Sequence, residues 1–230
     1  MSIKGLEKAT KLQSTPRVWT APPIVDIIQS APEGSFILDT GCHKGAWIES
    51  VGYLLGDSVK TVGVDILNHG CSGMYNFFFA EALDVEEAKR DAYIFEETAI
   101  NSLHDRNPNL SYSDAPYMNL SNIKKMNTKR LDTLLDSIGG IEKIHYMKVD
   151  CQGNDVNVVK GLGSYLSNIN YVQLESTFDT KNLYNISLTY IDDINEMRSL
   201  GFTPIYYCIH SKAHSMPQEG EILFKRDTNG

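Results

Sequence analysis

The sequence predicts an α/β domain built on a mostly parallel sheet with helices on both faces. Two observations predict it. Short apolar strand-like runs alternate with helix-like stretches along most of the 230 residues. One such run, Ile37-Leu38-Asp39, ends in a carboxylate and passes through the glycine turn Thr40-Gly41-Cys42-His43-Lys44-Gly45 into a helix. Open α/β sheets bind ligands beyond strand ends of that kind.

Taken in order, residues 1–32 read as a helical lead-in that closes with Pro22-Pro23 and a short apolar helix at Ile24 to Ile28. Ser35 to Asp39 reads as a strand and Ala46 to Leu55 as a helix. Thr61 to Asp65 and the aromatic Asn76 to Ala80 are further strands. Leu131 to Ile138 is helical, and Ile144 to Asp150 is a buried strand. In Asp155 to Leu166 the helical period puts Val156, Val159, Leu162 and Leu166 on one face. Tyr171 to Glu175 is a strand, and Leu188 to Leu200 is a helix stopped by Gly201. Thr203 to Ile209 and Glu221 to Lys225 close the set. Residues 92–127 break this rhythm. They are polar and rich in turn residues, so they are expected to form a loop or lid facing the substrate.

The length suits one domain spanning residues 1–230. The apolar share of 42% and charged share of 22% are those of a globular protein. No run approaches the ~18 apolar residues of a membrane span. Met1 to Gln13 lacks the apolar stretch of a signal peptide, so a cytoplasmic location is expected. A net charge of -8 disfavours nucleic acid as partner, because phosphate binding needs a basic surface. The lysines and arginine at 124–125 and 129–130 read as solvated surface. Cys42, Cys71, Cys151 and Cys208 show no paired spacing and read as free thiols.

The glycine turn carries the first functional signal. A dinucleotide site would need Gly-x-Gly-x-x-Gly, hence glycine at positions 43 and 46, where this chain has His43 and Ala46. The turn instead has acid-x-Gly-x-x-x-Gly at Asp39, Gly41 and Gly45, a pattern that S-adenosylmethionine sites favour. Asp65, ending the next strand, can accept both hydroxyls of a ribose. Gly41 is expected to let the backbone approach the cofactor, so that valine there blocks binding and leaves the fold intact.

Downstream, Arg130-Leu131-Asp132-Thr133-Leu134 is followed by Met147-Lys148-Val149-Asp150-Cys151-Gln152-Gly153-Asn154-Asp155 and Val158-Val159-Lys160-Gly161. Val172-Gln173-Leu174-Glu175, Gly201-Phe202 and Ile222-Leu223-Phe224-Lys225-Arg226 come next. Ala82-Leu83 and Asn101-Ser102-Leu103 are weaker marks upstream. From about Ser35 to Arg226 this resembles the FkbM family of methyltransferases. His43 departs from the family's usual Asn, Gln152 from a common Glu and Asn154 from a small residue.

The resemblance implies a Rossmann-like class I methyltransferase fold with a seven-stranded sheet and S-adenosylmethionine as cofactor. It implies O-methylation of a hydroxyl on a glycan sugar, with a deoxyhexose such as rhamnose or fucose as an example, or on a small natural product. Asp39, Gly41, His43, Gly45, Asp65, Ala82 and Asp150 are then the expected cofactor-binding residues. Asp150 and Glu175, ending neighbouring strands, are the candidate catalytic pair, one as general base and one orienting the acceptor. A divalent metal between them is an alternative that is not favoured, as is a capping role for Asp150 at the helix near Asn154. Ser102, His104, Gln152, His210 and His214 are the candidate acceptor-binding residues. Zinc at Cys208, His210 and His214 is disfavoured for want of a fourth ligand. The rival readings are a nicotinamide-dependent oxidoreductase and a nucleic-acid methyltransferase. The missing glycines oppose the first. Negative charge opposes the second, as does Asp150-Cys151-Gln152-Gly153 where amino-methylating enzymes carry Asn/Asp-Pro-Pro-aromatic.

Overall fold

The structure, a computed structural model, describes residues 22–110, 118–179, 182–210 and 218–227. The lead-in expected for residues 1–21 lies outside them. The helix at its end is α1 (Pro22–Gln29).

The main sheet contains β1 (Phe36–Thr40), β2 (Lys60–Asp65), β3 (Phe77–Ala80), β7 (Ile144–Val149), β8 (Ile169–Thr177), β9 (Phe202–Ile209) and β10 (Glu219–Arg226). Their spatial order is β3-β2-β1-β7-β8-β10-β9. The first five strands in that order make four parallel pairs, and β10 runs antiparallel between β8 and β9. Chain direction reverses its walk across the sheet between β1 and β7, which opens the switch-point crevice beyond their carboxyl ends.

Both faces of this sheet are covered, and strand alternation decides what each face meets. Phe36, Leu38, Met147, Val149, Val172 and Leu174 pack on one side, against α3 (Leu131–Ile138), α4 (Asp155–Lys160) and α5 (Tyr190–Ser199). Ile37, Tyr146 and Leu223 point the other way, onto Ile24 and Ile28 of α1 and Trp47, Ile48 and Val51 of α2 (Ala46–Leu55). The seven expected strands are therefore the seven strands of one sheet. No described helix is long and apolar enough to cross a membrane.

Two expectations need correction. Residues 92–127 are not one long loop. β5 (Lys89–Phe95) and β6 (Leu120–Lys129) pair antiparallel from Lys89 opposite Asn127 to Phe95 opposite Leu120, and β4 (Ala82–Leu83) joins β6 in parallel. Most β6 side chains are solvent-exposed, so this strand is held largely by its backbone ladder and lacks the apolar alternation that betrays a strand. The helix expected over Asp155 to Leu166 stops at Lys160. Gly161 follows, then Gly163 at φ +54°, and a 3-10 turn spans Gly163–Asn168. Val156, Val159 and Leu162 nonetheless face the core as the period implied, and Leu166 packs against it.

Candidate functional site

Two cavities lie at the carboxyl edge of the main sheet, and Gln152 and Asn154 line both. The first is bounded by Gly41, His43, Asp65, Ala82, Ser102 and Asp150, with Ile66, Leu83, Thr98 and Asn101 beside them. The second is bounded by Glu175, Asp155, Asp193 and Glu219, with Ser176, Thr177, Asn182 and Tyr184.

The β1–α2 turn organises the first cavity. His43, at φ +47°, donates its backbone N–H to Asp65 Oδ2 at 2.8 Å, and Leu67 N–H donates to Oδ1 at 3.0 Å. His69 Nε2 stands 3.3 Å from the same carboxylate, and its ring meets that of His43 edge-on at 4.7 Å between centroids. Burial, with the neighbouring His69 and Lys44, holds the His43 imidazole below its usual range. Asn101 is 8% exposed. Its Oδ1 accepts from Phe95 N–H at 3.0 Å, while its Nδ2 has no hydrogen-bond partner.

Three of the expected cofactor residues have roles in the fold of the turn. Asp39 has no exposed surface and lies outside the cavity wall. It accepts from the Tyr75 hydroxyl at 2.8 Å, and burial raises its carboxyl to about 6. Gly45 is the left-handed residue that starts α2, and a side chain there would strike Met74 and Cys71. Gly41 does line the cavity, at φ +72°, but a Cβ on it would fall 1.8 Å from the Asp150 carbonyl oxygen. That glycine is required by the close approach of β7, so valine would break the join between β1 and β7 as well as the cavity.

At the end of β7 the buried Lys148 ammonium lies 2.9 Å from Asp150 Oδ2. Gln152 Nε2 lies 2.5 Å from Asp150 Oδ1 and 3.0 Å from Glu175 Oε2. Burial alone would raise Asp150, but Lys148 and these hydrogen bonds outweigh it and hold the carboxyl below its usual range. Glu175 goes the other way. Burial and the negative charges of Asp150, Glu219 and Glu221 push it well above its usual range. Two carboxyl groups in one crevice thus have opposite protonation preferences, the arrangement that separates a base from a neutral partner. Asp150 does not cap α4. Asp155, the first residue of α4, instead holds the preceding turn, accepting from Cys151 N–H at 3.0 Å and Gly153 N–H at 3.1 Å.

The expected acceptor residues divide. Gln152 and Ser102 line cavities, with Ser102 Oγ donating to the Gln152 carbonyl at 2.7 Å. His104 packs against Gly153 and lines neither cavity. His210 stands 3.8 Å from Glu175 and 3.7 Å from Glu221, behind the second cavity. His214 lies outside the described residues. Glu175, His210 and Glu221 have ligand atoms within 4.8 Å of one another. Lys148 already places a positive charge beside Glu221, and Gln173 donates to Glu221 Oε2 at 3.0 Å, so we assign no ion there. Sequence reasoning missed Asn101, Asp155, Asp193, Glu219 and Glu221. Asn101 and Asp155 stand inside the quoted motifs Asn101-Ser102-Leu103 and Asp150-Cys151-Gln152-Gly153-Asn154-Asp155, but Asp193, Glu219 and Glu221 reach the site through pairings and turns that local pattern does not encode.

The sequence profile of the methyltransferase FkbM domain matches residues 64–204, more than half of the chain. The chain belongs to the FkbM methyltransferase family. It is an S-adenosylmethionine-dependent methyltransferase, and the first cavity fits that cofactor. It holds the strand-end carboxylate of Asp65, the buried and unpartnered amide donor of Asn101, and an apolar wall of Ile66, Ala82 and Leu83. This FkbM methyltransferase is similar to the N-methyltransferase NodS from Bradyrhizobium japonicum WM9, at 10% identity and TM-score 0.47 over 96% of each chain. It is also similar to magnesium protoporphyrin IX methyltransferase from Synechocystis PCC 6803 with bound SAM, at 10% identity and TM-score 0.45, covering 98% of this chain and 92% of that one. No curated protein matches it.

Proposed function

We propose that the chain methylates a hydroxyl oxygen, with a sugar of a glycan as the acceptor class and Asp150 as the general base. One observation carries this reading: Asp150 lines the cofactor cavity, Glu175 lines the adjoining one, and Gln152 belongs to both. S-adenosylmethionine, when bound, supplies a methyl group already activated on a sulfonium, so the protein has no electrophile to create. The chain's own residues must orient the attacking oxygen and receive its proton.

Asp150 is suited to the second task because Lys148 and Gln152 keep it ionised at neutral pH. The Asp150 carboxylate would take the proton of the acceptor hydroxyl as that oxygen gains the methyl and the methyl–sulfur bond breaks, its electron pair staying on the neutral thioether that leaves. Glu175, held toward the neutral form, donates to or accepts from a hydroxyl and orients it. The second cavity supports a polyhydroxylated acceptor, since hydroxyls of Ser176 and Thr177, the amide of Asn182 and the ring and hydroxyl of Tyr184 share its wall. Asp65 binds the ribose hydroxyls, and Gly41, His43 and Ala82 shape the same cavity. Asp39 and Gly45 act on the fold of the turn instead.

The test is transfer of labelled methyl from S-adenosylmethionine to a panel of glycosides, with deoxyhexosides among them, and to amines of similar size. A methyl ether on a sugar oxygen supports the reading. Label found in amines alone overturns it.

A further inference from the structure

Gln152 is an anomaly. It sits at φ +52° in the left-handed region, where a residue with a Cβ is strained, and Gly153 beside it has φ +90°. Surrounding contacts hold it there. Ser102 Oγ donates to its carbonyl at 2.7 Å. Ser102 is itself fixed to β5, donating to Tyr93 O at 3.1 Å and accepting from Tyr93 N–H at 2.8 Å. Ser102 therefore ties Gln152 to β5 of the smaller sheet.

The side chain is pinned as firmly. The Tyr184 hydroxyl lies 2.5 Å from Gln152 Oε1, so the oxygen of the amide faces Tyr184 and the nitrogen faces the two carboxyl groups. With the amide reversed, Oε1 would confront the ionised Asp150, acceptor against acceptor. In the observed orientation the two N–H bonds serve one acid each, at 2.5 and 3.0 Å.

We propose that Gln152 is a positioning residue, whose amide fixes the separation and orientation of the Asp150 and Glu175 carboxyl groups. It does not bind the acceptor. This rests on the reading of Asp150 as the base, and explains how two acids in one crevice keep different tasks. A neutral bridge donates to both without adding charge, where an acid would crowd a site that already holds Asp155, Glu219 and Glu221. The other titratable groups facing the pair are Lys148 on β7, Asp39 on β1 and His210 after β9.

The test uses protein labelled with 13C at its carboxyl carbons and saturated with S-adenosylhomocysteine, so no acceptor is needed. Asp150→Asn and Glu175→Gln assign the two signals. Gln152→Leu, and Gln152→Met should leucine impair folding, is expected to raise the Asp150 midpoint by about one pH unit, as loss of a donor to an ionised carboxylate does. Ser102→Ala and Tyr184→Phe are expected to move it the same way by less, since they hold Gln152 from either end. An unmoved Asp150 midpoint in a Gln152 variant that binds the homocysteine product with wild-type affinity overturns the proposal. Failure of the base reading shows separately, as an Asp150→Asn enzyme that keeps its turnover on a glycoside.

Discussion

Lys148 and Asp150 leave the end of β7 as an ion pair, with Nζ 2.9 Å from Oδ2 and the ammonium almost wholly buried. A buried charge survives only when paired, so each of these groups depends on the other. Lys148→Met is therefore expected to destabilise the protein by about 3–5 kcal/mol at neutral pH, the usual cost of breaking a buried pair. Chemical denaturation of the variant and its parent checks this. Equal midpoints and slopes would show that the pair is solvated.

The buried acids around it make an unusual pH dependence. Burial and the charge of Asp150 raise Asp155 to about 8, and burial raises Glu219 and Glu221 to about 7. A carboxyl whose folded value lies above its unfolded one binds more protons in the native state, so stability falls as pH rises between the two values. For Asp155 that window runs from 3.8 to about 8. The melting temperature of the free protein is expected to drop from pH 5 to pH 8, and Asp155→Asn to flatten the drop. A melting temperature that climbs over this range would refute the assignment.

Glycine 41 can be separated from glycine conformation in general. Gly34 has nearly the same φ, +75°, but open space where a Cβ would stand. Gly41 would place one 1.8 Å from the Asp150 carbonyl oxygen. Gly34→Ala should cost about 1–2 kcal/mol for the left-handed backbone alone. Gly41→Ala should cost clearly more, because β7 must move. Equal losses in thermal unfolding would place the role of Gly41 in the cofactor alone.

Cofactor binding is expected to depend on Asp65 and Asn101 to different degrees. Asp65→Ala should weaken S-adenosylhomocysteine binding by about 1.5–3 kcal/mol, the range for a hydrogen bond to a charged group. Asn101→Asp keeps an acceptor for Phe95 N–H and removes the unpartnered donor, for a loss of about 0.5–1.5 kcal/mol. Calorimetry on folded variants reads both, and unchanged affinities would move the cofactor elsewhere.

Most of the main sheet was legible because its strands are apolar runs with buried side chains, and pattern alone reveals those. Phe36–Thr40 and Ile144–Val149 are buried at every position. The smaller sheet was not legible, since β6 exposes Ile123, Lys124 and Lys125 alike and rests on backbone pairing with β5. Asp65, Asp150 and Glu175, read from the sequence as acids at the ends of apolar strands, do line the two cavities. The same pattern does not reveal that Asp39, near the end of β1, is fully buried against Tyr75. Glu221 reaches the acids through antiparallel register, opposite Glu175, and register is a property of the folded sheet.

The central claim, that Asp150 takes the proton of an acceptor hydroxyl, is tested most directly by Asp150→Asn. The measurement is turnover of labelled S-adenosylmethionine on the best glycoside acceptor, with cofactor affinity measured in parallel. The account predicts a loss of about 10²–10⁴-fold in turnover at near-parental cofactor affinity, the usual range for removing a general base. An Asp150→Asn enzyme that methylates the glycoside at the parental rate would contradict it.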